Sequence, residues 1–400
     1  MISRKWWFAL VALVLLIGVG VWYVRPDQAR PAPPPSGQAG PPMGWNSWNR
    51  FGCKIDEQLI RDQADALVKS GMREAGYTYV VVDDCWMANE RDADGKLQAD
   101  PTTFPSGMKA LGDYIHKQGL KFGIYSSAGS QTCEGRPASR DKEEVDAQTF
   151  ADWGADFLKY DYCESKAADR PQGEPARDRY ERMGAALRAT GRPIVYSVVE
   201  WGDEKPWEWA YDVGGTMWRT TRDIKPNWPN ITGILDQQVG LEKYARPGGW
   251  NDPDMLQVGN GLSEDENQFH MTMWSLLNAP LMAGNDITAM DEGTAATLLN
   301  REVLDVQRDF GKGQGYRLRD DGDTEVWAKG MSDGSVVVAL LNRGTETVSV
   351  STAASEIGLP PAESYRVLDL WNGEKPATPG PLGGEVAGHG VLALRVWPLR

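Results

Sequence analysis

Eight short β-forming runs, each closing on polar or aromatic residues and most followed by a helical pattern, constrain this chain more than any other feature. They cover residues 43–49, 77–84, 120–127, 156–163, 193–201, 216–223, 249–255 and 280–286. Before their polar ends they are nearly continuously apolar, as strands covered on both faces are. Helical periodicity is expected over 56–72, 108–118, 143–153, 177–190, 234–244, 264–277 and 294–310, while the connection 203–212 is short and weakly helical. In the first helix Ile60, Ala64, Leu67, Val68 and Met72 share one face, opposite Arg61, Asp62, Asp65 and Lys69. Eight parallel strands joined by helices close into a (β/α)8 TIM barrel, an α/β fold. Past residue 312 the helical period disappears. Runs at 326–328, 336–341, 347–350, 365–369 and 391–396, separated by Gly-rich turns, predict a C-terminal antiparallel β-sandwich. The expected division is a barrel over 42–312 and a sandwich over 313–400.

The N-terminus reads as a targeting segment. Arg4 and Lys5 precede 19 uncharged residues, 6–24, close to the roughly 20 that a helix needs to cross a bilayer. No small-residue cleavage pattern follows; Arg25, Pro26 and Asp27 come next. The expectation is an uncleaved signal-anchor over 1–24 with its basic end cytoplasmic, a signal peptide being the alternative. Seven Pro within 25–42 make an extended spacer, with the linker set at 25–41. The rest of the chain is then exported, periplasmic or extracellular, touching the membrane through its N-terminus alone. The four Cys suggest disulfides, for which composition leaves three connectivities open.

Charge narrows the partners. A net charge of -14 disfavours nucleic acid, whose binding needs clustered Lys and Arg. Three His and no CxxC spacing offer no metal site, and no dinucleotide or phosphate-loop motif suggests a cofactor. Oligomeric state is not legible. The 17 Trp are unusual, and their faces suit the stacking of sugar rings.

A barrel puts its chemistry at the C-terminal ends of its strands. Read in order, those ends carry Trp45 and Trp48, Asp83 and Asp84, Tyr125, Lys159 and Asp161, Glu200 and Trp201, Arg219 and Asp223, Asp252 and Asp254, and Asn285 and Asp286. A lone Asp there is commonly a helix cap, which accounts for Asp252 and Asp286 among others. Charged ends on nearly every strand, flanked by Trp, exceed what capping needs. Paired carboxylates with aromatics are the chemistry of glycoside hydrolysis.

The motifs Gly44-Trp45-Asn46-Ser47-Trp48, Asp83-Asp84-Cys85-Trp86, Lys159-Tyr160-Asp161-Tyr162-Cys163, Arg219 with Asp223, and Asp252-Pro253-Asp254-Met255 carry a resemblance. Over about residues 42–400 the sequence resembles glycoside hydrolase family 27, the α-galactosidases and α-N-acetylgalactosaminidases. The resemblance implies a retaining exo-α-galactosidase with Asp161 as nucleophile and Asp223 as general acid/base. It implies Asp83 and Asp84 at O6 and O4, Lys159 at O3 and O4, and Arg219 and Asp254 near O2. Trp45 is expected as an apolar wall, with Tyr125 and Met255 lining the pocket. Val199-Glu200-Trp201 is expected to set specificity at C2, Glu200 accepting from the 2-hydroxyl and Trp201 adding bulk. The resemblance also implies the disulfides Cys53–Cys85 and Cys133–Cys163. The substrate it implies is a galactose-containing oligosaccharide or glycoside.

Each residue has a plainer reading. Asp83-Asp84 could cap a turn, Lys159 could pair with Asp161 for stability alone, Trp45 could be core, and Glu200 could pair with Lys205 at the surface. A carbohydrate-binding protein without activity, or a sibling acting on α-N-acetylgalactosamine or β-L-arabinopyranose, are the competing functions.

Overall fold

The computed structural model describes residues 40–163 and 175–399. The targeting segment and almost all of the spacer lie outside the described residues. No helix among those described is long and apolar enough to cross a membrane.

The barrel strands are β1 (Met43–Asn46), β2 (Tyr79–Val82), β3 (Lys121–Ser127), β4 (Phe157–Asp161), β5 (Val195–Val199), β6 (Met217–Arg219), β7 (Trp250–Asp252) and β8 (Leu281–Ala283). All pair in parallel, in the order β7-β6-β5-β4-β3-β2-β1-β8. The ring closes between β7 and β8 through a single parallel bridge, Leu256 to Ala283. The helices are α1 (Trp48–Phe51), α2 (Glu57–Lys69), α3 (Gly107–Lys117), α4 (Glu143–Asp152), α5 (Ala176–Ala189), α6 (Trp228–Asp236), α7 (Glu264–Leu276), α8 (Glu292–Leu298) and α9 (Arg301–Arg308).

Alternation along the strands divides the core. Tyr79, Val81, Phe157, Val195, Met217 and Trp250 belong to one small cluster that fills the barrel. Val80, Val82, Leu158, Tyr160, Val198 and Trp218 pack outward among the helices. Because successive side chains change faces, Asp83, Lys159, Asp161, Arg219 and Asp252 fall on the inner side with Tyr79, Phe157, Met217 and Trp250. Sequence parity thus aims these polar residues into the barrel mouth.

Three helix expectations need correction. The helix expected over 234–244 is α6, which starts at Trp228 behind the Asn227 cap and ends at Asp236; residues 237–244 are turns. The apolar period of Ile234, Leu235 and Leu241 misled because it continues through those turns. The helix expected over 294–310 is two, broken at Asn300, whose side chain caps α9 by accepting from Val303 N. The weak helix at 203–212 is one 3-10 turn, Pro206–Glu208.

The C-terminal strands are β9 (Tyr316–Asp320), β10 (Thr324–Gly330), β11 (Val336–Asn342), β12 (Val348–Thr352), β13 (Ser364–Asp369), β14 (Gly373–Thr378), β15 (Leu382–Val386) and β16 (Val391–Leu399). Six form one antiparallel sheet, β14-β13-β16-β11-β10-β9, and β12 pairs with β15. Val338, Leu340, Val350, Leu382, Leu394 and Val396 fill the space between them. β9, β14 and β15 went unpredicted. β14 is exposed and polar, and β15 contains Gly383 and Gly384, so neither shows an apolar alternation.

Candidate active site

A cavity of about 210 Å³ opens at the C-terminal ends of the barrel strands. Its walls include Asp83 and Asp84 after β2, Tyr125 on β3, Lys159 and Asp161 on β4, Arg219 on β6, Asp223 beyond it, and Asp254 and Met255 after β7.

The acidic wall is tightly bonded. Asp83 Oδ2 accepts from Lys159 Nζ at 2.7 Å and from Asn46 Nδ2 at 2.7 Å. The direct ion-pair partner of Lys159 is therefore Asp83 rather than Asp161. Lys159 is buried, which disfavours its charge, but Asp83 and Asp161 outweigh burial and hold the ammonium protonated. Asp84 accepts from Cys85 N at 2.7 Å and Glu134 N at 3.1 Å. Burial pushes its pKa up to about 6 against those bonds.

The two carboxylates of the expected pair differ in setting. Asp161 is buried; Tyr125 Oη donates to its Oδ2 at 3.1 Å and Tyr162 N to its Oδ1 at 2.9 Å. Burial pushes its pKa up to about 7, with Lys159 and the Tyr162 N–H pulling the other way. The Asp223 side chain is 65% exposed and meets Arg219 at 3.0 Å, a guanidinium that also holds Asp254 at 3.0 Å. Loss of hydration opposes ionisation of Asp223. The charges of Arg219 and Lys159, with hydrogen bonds from Arg219 and the Trp201 side chain, outweigh it and lower the pKa. The charge of Asp223 adds to the upward shift of Asp161.

Three expected sugar contacts, Trp45, Glu200 and Trp201, are not among the cavity walls. Trp45 is fully buried, packed outward in the helix-side core, and its indole donates to the Asn285 carbonyl at 2.8 Å. Its neighbour Asn46 has the inward parity. Glu200 is fully buried as well. Its carboxylate accepts from Glu204 N at 2.9 and 3.0 Å, so it ties down the turn after β5. That bond, rather than a pair with Lys205, is its local task, and burial pushes its pKa up to about 7. Trp201 does reach Asp223. Of the residues expected as caps, Asp286 accepts from Thr288 N and Asp252 from Asp254 N.

Three wall residues were missed: Trp48 as a contact, Asn49 and Glu134. Asn49 follows the Gly44–Trp48 motif directly, and Glu134 follows Cys133, so proximity to both motifs was the available signal. Asn49 Nδ2 and Arg219 Nε are buried with no hydrogen-bond partner among the described residues. Donors left unpaired on residues that line a cavity suit a ligand rich in oxygen acceptors.

Two disulfides border this face. Cys53 pairs with Cys85, next to Asp84, and Cys133 pairs with Cys163, two residues after Asp161. Cys133 Sγ lies 3.5 Å from Asp161 Oδ2.

Comparison with known proteins gives a consistent result. The family described as "Alpha galactosidase A" matches residues 40–309, and "Alpha galactosidase C-terminal beta sandwich domain" matches 321–396. Alpha-galactosidase A of Cellvibrio japonicus is 43% identical over 380 residues, covering 90% of this chain and 92% of that protein. The alpha-galactosidase of Cyamopsis tetragonoloba is 46% identical over 352 residues, covering 87% and 84%. The crystal structure of alpha-galactosidase I from Mortierella vinacea superposes with a TM-score of 0.86 at 38% identity, covering 91% of this chain and 98% of that one.

Proposed function

This chain belongs to the α-galactosidase family of glycoside hydrolases, and on that premise we propose that it removes terminal α-D-galactosyl residues with retention of configuration. The observation that carries the reading is one small cavity that collects Asp161, Asp223, Lys159 and Arg219 around buried, unpaired donors. A cavity of about 210 Å³ holds one sugar ring rather than a chain, which favours exo action.

In this reading Asp161 attacks the anomeric carbon as Asp223 gives its proton to the departing glycosidic oxygen. A galactosyl ester of Asp161 forms. Asp223, now ionised, takes a proton from water; that water's oxygen attacks the same carbon and releases Asp161. The reactive form holds one proton between the two carboxyls, on Asp223. Arg219 holds Asp223 ionised until its guanidinium turns to a sugar hydroxyl. Asp83, Asp84 and Lys159 form the charged wall that meets the hydroxyls away from the anomeric carbon, and Asp254 and Arg219 lie opposite. Discrimination at C2 falls to Trp201 in place of Glu200. A galactoside should lead, β-L-arabinopyranoside should trail, and the N-acetylgalactosaminide should stay near background; comparable kcat/KM on the last would overturn the specificity.

The test of roles uses Asp161→Asn and Asp223→Asn. Both should lose nearly all turnover of a disaccharide. With a dinitrophenyl α-galactoside, whose leaving group needs no acid, Asp223→Asn should accumulate one covalent galactosyl group per enzyme, on Asp161. Labelling elsewhere would refute the assignment. Within the same reading, 42–312 is the catalytic unit and 313–400 supports it. The disulfides suit an oxidising compartment. Export runs through residues 1–24, as signal or tether; exported protein that begins after residue 24 would rule out the tether.

A further inference from the structure

Acid catalysis by Asp223 needs a carboxyl that few side chains hold, since 65% of it is exposed. Its position therefore depends on the backbone segment between β6 and α6. The near end is fixed by Arg219, which donates to the Thr221 carbonyl at 3.1 Å and to Asp223. Ile224 N donates to Asp254 Oδ2 at 2.8 Å, and Lys225 N to Asn230 Oδ1 at 2.6 Å. The far end is Trp228, the first residue of α6.

Trp228 is gripped from both parts of the molecule. Phe269 of α7 meets it at 4.5 Å between ring centroids, in a T-shaped contact. His389 lies flat on it at 4.4 Å, with the planes 13° apart. His389 comes from the sandwich, in the turn between β15 and β16, where it takes φ 58° and donates its N–H to the Gly344 carbonyl. Its Nδ1 lies 2.9 Å from Glu266 Oε1. Glu266 in turn completes the capping box that starts α7. The other end of α6 is also held by the sandwich: Asp236 pairs with Arg343 at 2.7 Å and Arg317 at 3.4 Å.

We propose that His389 is a positioning residue for the reaction: by clamping Trp228 against α7, it fixes the far end of the segment that aims Asp223. The sandwich thereby takes part in acid catalysis without touching substrate. The inference rests on Asp223 being the acid/base, and its test separates the two ideas. kcat/KM, which reports the first irreversible step, is measured on an α-galactosyl disaccharide and on a dinitrophenyl α-galactoside. His389→Ala should lose about tenfold on the disaccharide, a fraction of the 10²–10⁴ that general acid catalysis supplies, and less than about twofold on the activated substrate. His389→Phe, which keeps the stack and drops the Glu266 contact, should recover most of the loss. An equal fall on both substrates, or no fall on either, would overturn the proposal. If His389→Ala fails to fold, His389→Phe and His389→Gln are compared in the same way, with loss confined to Gln on the disaccharide expected; equal behaviour of the two refutes the clamp. Asp223→Asn runs alongside. Should it lack leaving-group dependence, the acid/base reading falls, independently of what His389 does.

Discussion

Asp161 is a carboxyl group that the folded chain favours in its protonated form. Its folded pKa of about 7 lies above the ordinary 3.8, chiefly through burial. A raised carboxyl pKa stabilises the fold fully below the ordinary value, and that contribution is lost as pH rises through about 7. Asn cannot ionise and escapes the loss. Asp161→Asn should therefore be inactive yet more heat-stable at pH 7.5, by at least about 1 kcal/mol or roughly 2–4 °C, with no gain at pH 4. Thermal melts at the two pH values check this; an equal gain at both would contradict it. The same scale shows what strand parity could and could not tell. Asp83, Lys159, Asp161 and Arg219 share the inward phase of their strands, so their convergence was legible in the sequence. Trp45 and Glu200 have the outward phase. Their motif positions attracted attention, but alternation sends their side chains away from the cavity. Trp201 lies past the end of β5, at φ 64°, where alternation no longer applies.

The elements that build the barrel were legible because burial on both faces makes a strand apolar throughout. The sandwich edge strands were not, because β14 has almost nothing to bury. The start of α6 was signalled by Asn227 as cap with Pro229 in the first turn, a pattern overshadowed by the apolar residues downstream. Strand β1 depends on one glycine. A Cβ on Gly44 would come within 2.3 Å of the Tyr79 carbonyl oxygen, a backbone atom that cannot yield without parting β1 from β2. Gly44→Ala should cost at least about 1–3 kcal/mol, the usual range for overpacking, and lower Tm without altering the cavity walls. A melting temperature equal to that of the parent would show that the β1–β2 seam can relax.

At the scale of the whole molecule, the barrel and sandwich meet through polar groups as well as apolar ones. Trp371 Nε1 donates to Thr272 Oγ1 at 3.0 Å, and Asn300 Nδ2 donates to the Leu370 carbonyl at 2.9 Å. Lys329 of β10 is almost fully buried and donates to Asn278 Oδ1. Burial lowers its pKa to about 7, with Asp309 opposing. A lysine with a lowered folded pKa destabilises the fold most below that pKa, and the penalty fades as pH climbs from about 7 toward its ordinary 10.5. Lys329→Met should raise Tm at pH 6.5 and raise it less at pH 9.5, which scanning calorimetry would detect. A constant difference would mean that packing rather than charge governs this contact.

Both disulfides border the cavity: Cys85 follows Asp84, and Cys133 is one of the cavity walls. Folding and activation are consequently separable. Made in a reducing cytosol, the chain should assemble the same barrel, stay soluble and give the same circular dichroism. The turn that carries Glu134, and the residues that follow Asp161, would be untethered. Such a copy would be correctly shaped but idle. Forming the two disulfides would then act as its on-switch.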